Sequence, residues 1–211
     1  TYQVNAYSGI SFDRLFIDAI AGVALSKHSS TRSIPIIAST AKGKYNGKTY
    51  IGKIESGFNN ELGGGFTFTP TISSTFTYNN VSGYTETGAG TLNLEVKPHN
   101  TRFFEARIGT IIGYNTITSK GYKINPQLKA SFGYDFIGDK QTVESNFVGQ
   151  ATSFKSQSPN AQQASTMVGA SLNIYSSNSI TLSADYNFEH KKNYNANSAS
   201  ALISSNSPLG N

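Results

Sequence analysis

The stretch GYKINPQLKASFGYDF, residues 121–136, decides the fold. Its even positions (Tyr122, Ile124, Pro126, Leu128, Ala130, Phe132, Tyr134 and Phe136) are apolar, while its odd positions (Gly121, Lys123, Asn125, Gln127, Lys129, Ser131, Gly133 and Asp135) are small or polar. Successive side chains of a β-strand point to opposite faces, so a strict period of two predicts a strand with one apolar face. At about 3.3 Å per residue the stretch exceeds the usual globular strand of about 5–6 residues, and it suits a tilted transmembrane strand of about 9–11 residues with a projecting end. Aromatic residues stand near both ends of the apolar face, where a barrel strand meets the two membrane interfaces.

Composition agrees with a membrane barrel without requiring one. Only every second strand residue of such a barrel faces lipid, so a mean hydropathy of -0.32 does not argue against it. No apolar run approaches the roughly 18 residues of a membrane helix; the best candidate, residues 15–25, is short and contains Asp18. Cysteine is absent, which excludes disulfides and Cys-based zinc or redox sites. The net charge of +5 is spread along the chain without a basic block or a nucleic-acid-binding motif, so nucleic acid is not an expected partner.

Read in order, the chain predicts ten strands. The first two, residues 1–12 and 15–25, meet at a turn at Asp13. Residues 26–48, rich in Lys, Ser and Gly, read as a long basic solvated loop, or as a surface that meets an acidic host or lipopolysaccharide layer. A weaker strand, 50–62, closes at Gly63-Gly64-Gly65. Residues 66–78 then alternate Phe66, Phe68, Pro70, Ile72, Phe76 and Tyr78 against Thr and Ser. Aligning Pro70 with Pro126 superposes Ile72 on Leu128 and Phe76 on Phe132, so both strands are expected in the same surroundings, each Pro near a membrane boundary. Further strands are read at 92–97, 104–114, 121–136, 142–149, 166–174 and 180–188. The connections alternate between short (Asp13, Gly63, Pro98, Ile137, Ser176) and longer (Ser26, Asn79, Asn115, Gln150, Lys191). Short periplasmic turns opposite longer extracellular loops are the pattern of an outer-membrane barrel, with Thr1 entering from outside.

The run GYTETGAGTLNLEV, residues 83–96, resembles the GxTETGA-x-x-LNL-x-V signature of autotransporter β-domains, the translocator barrels of type V secretion. Phe16-Ile17-Asp18, the strands beginning near Pro70 and Pro126, and residues 180–194 also fit that pattern. The Lys-, Asn-, Ser- and Ile-rich composition looks most like rickettsial surface-antigen autotransporters. The resemblance implies an all-β, antiparallel transmembrane barrel of twelve strands threaded by a helix, of which the ten strands read here are the second to eleventh. On that basis residues 1–211 are expected to be one β-barrel domain lacking the first strand, the pore helix and the terminal aromatic residue of the family. The closing segment starts like the family's last strand at 197–203 and then runs into residues 204–211. The partners implied are outer-membrane lipids, the protein's own passenger polypeptide and the barrel-assembly machinery.

The two faces supply the candidate site residues. Lys53, Glu55, Glu105, Arg107, Lys123, Lys129, Asp185 and Glu189 fall on polar faces and are expected to line a hydrated pore. Ile72, Phe76, Leu128, Phe132, Tyr134, Leu182 and Tyr186 are expected to face lipid. His28, His99 and His190 have no metal-ligand spacing, and no nucleophile signature such as G-x-S-x-G occurs, so neither an enzyme nor a metal or other cofactor is expected. The function expected is a translocator that carries or anchors an N-terminal passenger at the cell surface. The alternatives are a surface-exposed adhesin or antigen barrel acting through its loops, and a soluble β-sandwich.

Overall fold

The computed structural model describes all residues except 139, 160–161, 177–179 and 206–211. Among these the protein is all-β and antiparallel, with no α-helix. A curled, half-barrel sheet is built from β1 (Tyr2–Phe12), β2 (Leu15–Ile34), β3 (Ser39–Phe58), β5 (Phe66–Val81), β8 (His99–Tyr114), β10 (Lys123–Asp135), β13 (Ala164–Tyr175), β14 (Ile180–Lys191) and β15 (Tyr194–Ser205), paired in that order. Short β4 (Asn60–Gly63) adds to β5, and β9 (Thr116–Ile117) adds to β10. No pairing between β1 and β15 is present among the described residues. A second sheet, in the order β12 (Ser153–Gln157), β11 (Thr142–Phe147), β7 (Leu94–Val96) and β6 (Tyr84–Thr85), stands at one rim of the first.

The sheet is two-faced because its register preserves the alternation of every strand. Leu128 pairs with Ile112 on one side and Ala170 on the other, so the apolar faces of β8, β10 and β13 merge into one band. Pro70 sits where the ladder can spare a donor. β3 pairs with β5 only as far as Gly57–Thr71, and β4 resumes at Asn60–Phe68, so the proline falls in the gap. Thr69 beside it donates its hydroxyl to Asn59 Oδ1 at 2.9 Å across the same gap.

Four expectations are corrected. Nine strands, not ten, make the main sheet's path: the segments read at 92–97 and 142–149 contain β7 and β11 of the rim sheet, and β15 joins the path in addition. Alternation shows that a strand has one covered face; it does not say which sheet covers it. Those two misplaced strands also exchanged the ends: the connections at Pro98 and Ile137 lie on the rim with the long excursions, and the one at Asn115 lies with the turns at Asp13 and Gly63. β5 and β10 therefore run in the same direction, as the Pro70–Pro126 alignment requires.

Residues 26–48 are not a loop. β2 and β3 continue as an unbroken hairpin of 20 residues each, turning through a 3-10 turn at Pro35–Ile37 with Ala38 at φ 46. Pairing of Leu25 with Lys48 runs on to Ile34 with Ser39, so backbone hydrogen bonds carry the hairpin where hydropathy no longer alternates. The connection at Lys191 is a short turn with Asn193 at φ 66, after which residues 194–205 form a full strand. The turn expected at Ser176-Ser177-Asn178 lies largely outside the described residues, as does the end of the 204–211 segment. Ser176 donates its amide to Ile180 O at 2.8 Å.

Candidate functional site

The polar face of the curled sheet gathers most of the charged residues singled out in the sequence. Glu105 and Arg107 alternate on β8, which puts both on the same face. The Arg107 guanidinium reaches Glu105 Oε1 at 2.9 Å, Glu189 Oε1 at 3.2 Å, Ser131 Oγ at 3.1 Å and Ser165 Oγ at 3.0 Å. Ser165 in turn donates its hydroxyl to Glu105 Oε2 at 3.1 Å. Both charges are largely removed from water, with the side chains of Arg107 and Glu105 only 16% and 8% exposed. Buried charges are tolerated when paired and fully hydrogen-bonded, and here a five-member network does both.

Gly133 makes room for that network. A Cβ there would lie 2.8 Å from Glu105 Cδ and 2.7 Å from Ser165 Oγ, so any side chain would displace the carboxylate. Around this centre, Lys53 pairs with Glu55 along β3, and Lys129 reaches Asp185 Oδ1 at 2.7 Å across β13. Lys191, inward at the end of β14, lies 3.6 Å from Glu189 and over the ring of Phe103 at 5.3 Å. A recess of about 260 Å³ on this face is lined by Lys53, Glu55, Arg107 and Lys129 together with Thr and Ser of β5. Lys123 is apart from them, exposed at the opposite end of β10 without an ion pair among the described residues.

The opposite face carries the seven apolar candidates. Ile72, Phe76, Leu128, Phe132, Tyr134, Leu182 and Tyr186 are all between 39% and 65% exposed. With Ile54, Ile108, Ile112 and Val168 beside them, they form a continuous apolar band. Soluble monomers rarely expose patches larger than a few hundred Å². The soluble-sandwich alternative required this band to be packed against another layer, and no such layer covers it among the described residues.

The run 83–96 has a structural role that pattern reading did not supply. β6 hydrogen-bonds to β7, and Thr87 bridges to Lys42 of the β2–β3 hairpin through two backbone bonds of 2.8 and 2.9 Å. Glu86, only 4% exposed, accepts from Arg32 Nη2 at 2.6 Å and from the Leu94 amide at 2.9 Å. Arg32 also donates to Leu92 O at 2.7 Å, and Asn93 Oδ1 accepts from the Ala89 amide at 2.9 Å. Gly88, at φ 100, brings the chain against Thr40 O, where a Cβ would stand 2.6 Å away. His28, Tyr45 and Tyr84 stack at 5.2 and 4.7 Å, extending the contact between hairpin and rim. Burial works to raise the Glu86 pKa, but the Arg32 and Leu94 hydrogen bonds and the charge of Arg32 outweigh it. The carboxyl therefore titrates below its ordinary value.

Among the described residues no group of three or more His, Asp or Glu side chains could hold a metal ion. The polar face is thus a surface of paired charges and hydroxyls suited to contact with water or polypeptide.

Comparison with known proteins places this two-faced sheet. A family description of autotransporter β-domains matches residues 1–187. The chain is 26% identical over 176 residues to outer membrane protein A of Rickettsia rickettsii, and 25% identical over 176 residues to that of Rickettsia conorii, in each case over 80% of this chain. It spans only 8% and 9% of those relatives' lengths. The crystal structure of the β-domain of the Bordetella autotransporter BrkA superposes with a TM-score of 0.65 at 13% identity, covering 95% of this chain and 70% of that one. An apolar outer band, a polar concave face and a family match over most of the chain lead to one conclusion: it belongs to the autotransporter β-domain family, the outer-membrane barrels of type V secretion.

Proposed function

We propose that this chain forms the wall of a translocator barrel that carries or anchors a passenger polypeptide at the bacterial surface. The observation that carries the reading is the separation of faces. Ile72, Phe76, Leu128, Phe132, Tyr134, Leu182 and Tyr186 meet lipid, while Lys53, Glu55, Glu105, Arg107, Lys129, Asp185 and Glu189 border a hydrated lumen, with Lys123 at its periplasmic mouth. A near-balanced set of charges, already paired with one another, offers a moving polypeptide polar contacts without a strong single-sign field that would hold it. No chemical step is assigned, and the family is a translocator fold rather than an enzyme family. Outer-membrane lipids, the passenger and the barrel-assembly machinery are the partners of this reading.

An epitope placed upstream of Thr1, in a version extended so that the edges of β1 and β15 are paired, tests it. Protease added to intact cells should remove the epitope while the chain stays in the outer-membrane fraction. An epitope that remains protected while the chain is in that fraction sinks the translocator reading. The surface-barrel alternative is favoured by one observation, the tall β2–β3 hairpin with its attached rim sheet, and the same result would leave it standing.

A further inference from the structure

The outward face of the main sheet has a charge asymmetry that the lumen does not share. Following the register through all nine strands, its outward positions hold five Lys or Arg residues, Lys27, Lys42, Lys44, Lys48 and Arg102, and no Asp or Glu. All six acids of these strands, Asp18, Glu55, Glu105, Asp135, Asp185 and Glu189, point to the concave face. The five cations are exposed, make no ion pair among the described residues, and lie together at the rim end of β2, β3 and β8.

Their position is continuous with the apolar band. Tyr50 and Tyr78 lie side by side, ring centroids 6.3 Å apart, and Tyr78 pairs with Arg102. One outward step above Tyr50 comes Lys48, paired with Leu25, then Lys27 beside Asn46, then Lys44 and Lys42. At about 3.4 Å per residue the ladder from Lys48 to Lys42 climbs about 20 Å along the strand. At its foot, a recess of about 640 Å³ is lined by Tyr2, Leu25, Lys27, Asn46 and Lys48. Its floor is apolar where it joins the band, and its rim is cationic.

We propose that Lys27, Lys44, Lys48 and Arg102 form a binding site for the phosphorylated saccharide headgroup of an outer-leaflet glycolipid. Its acyl chains lie along Leu25, Val23 and Tyr50, and its phosphates meet the ammonium and guanidinium groups just beyond the tyrosines. Lysine and arginine are the ordinary partners of phosphate, and cations next to a membrane surface gain from an anionic lipid layer. A soluble acidic partner would find these charges equally well on the tip or inner side of the hairpin. Their restriction to the face that continues the apolar band selects a ligand with both an acyl and an anionic part. This inference rests on the lipid-facing assignment proposed above.

The test uses the full chain extracted in mild detergent from the outer membranes of producing cells. Native mass spectrometry counts bound lipid when the extract is titrated with diphosphoryl lipid A, with dephosphorylated lipid A, with inorganic phosphate as competitor, and with heparin. Wild-type chain should bind diphosphoryl lipid A at least tenfold tighter than the dephosphorylated form. Lys27→Gln/Lys44→Gln/Lys48→Gln should lose that preference, and the matching Lys→Arg triple variant should keep it. Arg14→Gln/Lys120→Gln, at the opposite end, should behave as wild type. Equal binding of the two lipid forms, an unaffected Gln triple variant, displacement by millimolar phosphate, or tighter binding of heparin than of lipid A each overturns the site. Reagent labelling from the lipid phase at Leu128 separates the two readings. If Leu128 is labelled while lipid A is not preferred, the site alone fails; if Leu128 is not labelled, the face assignment fails and takes the site with it.

Discussion

Two ion pairs at single residues hold the molecule in different ways. Glu86 and Arg32 join the rim to the hairpin outside the membrane, and the depressed pKa of Glu86 fixes the sign of their pH dependence. A carboxylate whose folded pKa lies below its unfolded value contributes fully above the unfolded value and loses that contribution as pH falls through the folded one. Hydrogen-exchange protection of residues 84–96, taken relative to the intrinsic exchange rate at each pH, should therefore be high at neutral pH and fall only in acid, below the usual glutamate range. Glu86→Gln should remove that pH dependence and weaken the rim by about 1.5 kcal/mol, the low end for a charge-assisted bond because Arg32 is partly exposed. Arg107 is the harder case. Arg107→Leu leaves Glu105 charged and buried without its partner, at a cost of about 3–5 kcal/mol. Arg107→Leu/Glu105→Leu should recover much of that loss. Urea midpoints from heat-modifiable gel mobility would show it, and a double variant no better than the single would refute it.

At the scale of the element, legibility followed hydropathy. Residues 66–78, 104–114, 121–136, 166–174 and 180–188 were readable because one face meets an apolar surrounding and the other a polar one, which writes a period of two into the sequence. Their register then brought Lys129 to Asp185 and Arg107 to Glu189, and pairing across strands that distant in sequence leaves no local mark. The upper half of the β2–β3 hairpin reads as loop because its covered inner face is made by Ala41, Gly43 and Gly47, too small to write an alternation of hydropathy into the sequence. β7 and β11 were misassigned for a different reason: each has a covered face, supplied by a neighbour outside the main sheet. β10 permits a direct check of the faces. Leu128→Arg should impair insertion by roughly 2–4 kcal/mol, the range for Arg near the bilayer midplane, whereas Lys129→Leu should cost less because it removes one half-exposed ion pair. Equal heat-modifiable fractions for the two variants would mean that both faces are wet, and a smaller loss for Leu128→Arg than for Lys129→Leu that the faces are reversed.

For the whole molecule, the decisive feature is the pair of outer strands, β1 and β15, which do not pair with each other among the described residues. In hydrocarbon each unsatisfied backbone group costs several kcal/mol, so both edges demand a partner. Residues 1–211 in a planar bilayer should therefore give no steady single-channel conductance. A version carrying an odd number of further strands before β1, which makes the total even and sets the new first strand antiparallel to β15, should conduct. Steady channels from the unextended chain would show that its own edges close.

The rim sheet imposes an order of events on biogenesis. β7 and β11 pair through Val96 with Ser145 and Leu94 with Phe147, so a strand preceding β8 must wait for one that follows β10. Ends that far apart in sequence meet late, because their loop must close before the contact stabilises anything. The hairpins β1–β2 and β14–β15 have no such delay. A chain caught midway should carry a formed wall and an unfinished crown, with residues 84–96 still open to protease after the strands below them have become resistant. The autotransporter signature motif would then act as a clasp, fastened only once the wall on both sides of β8 is in place.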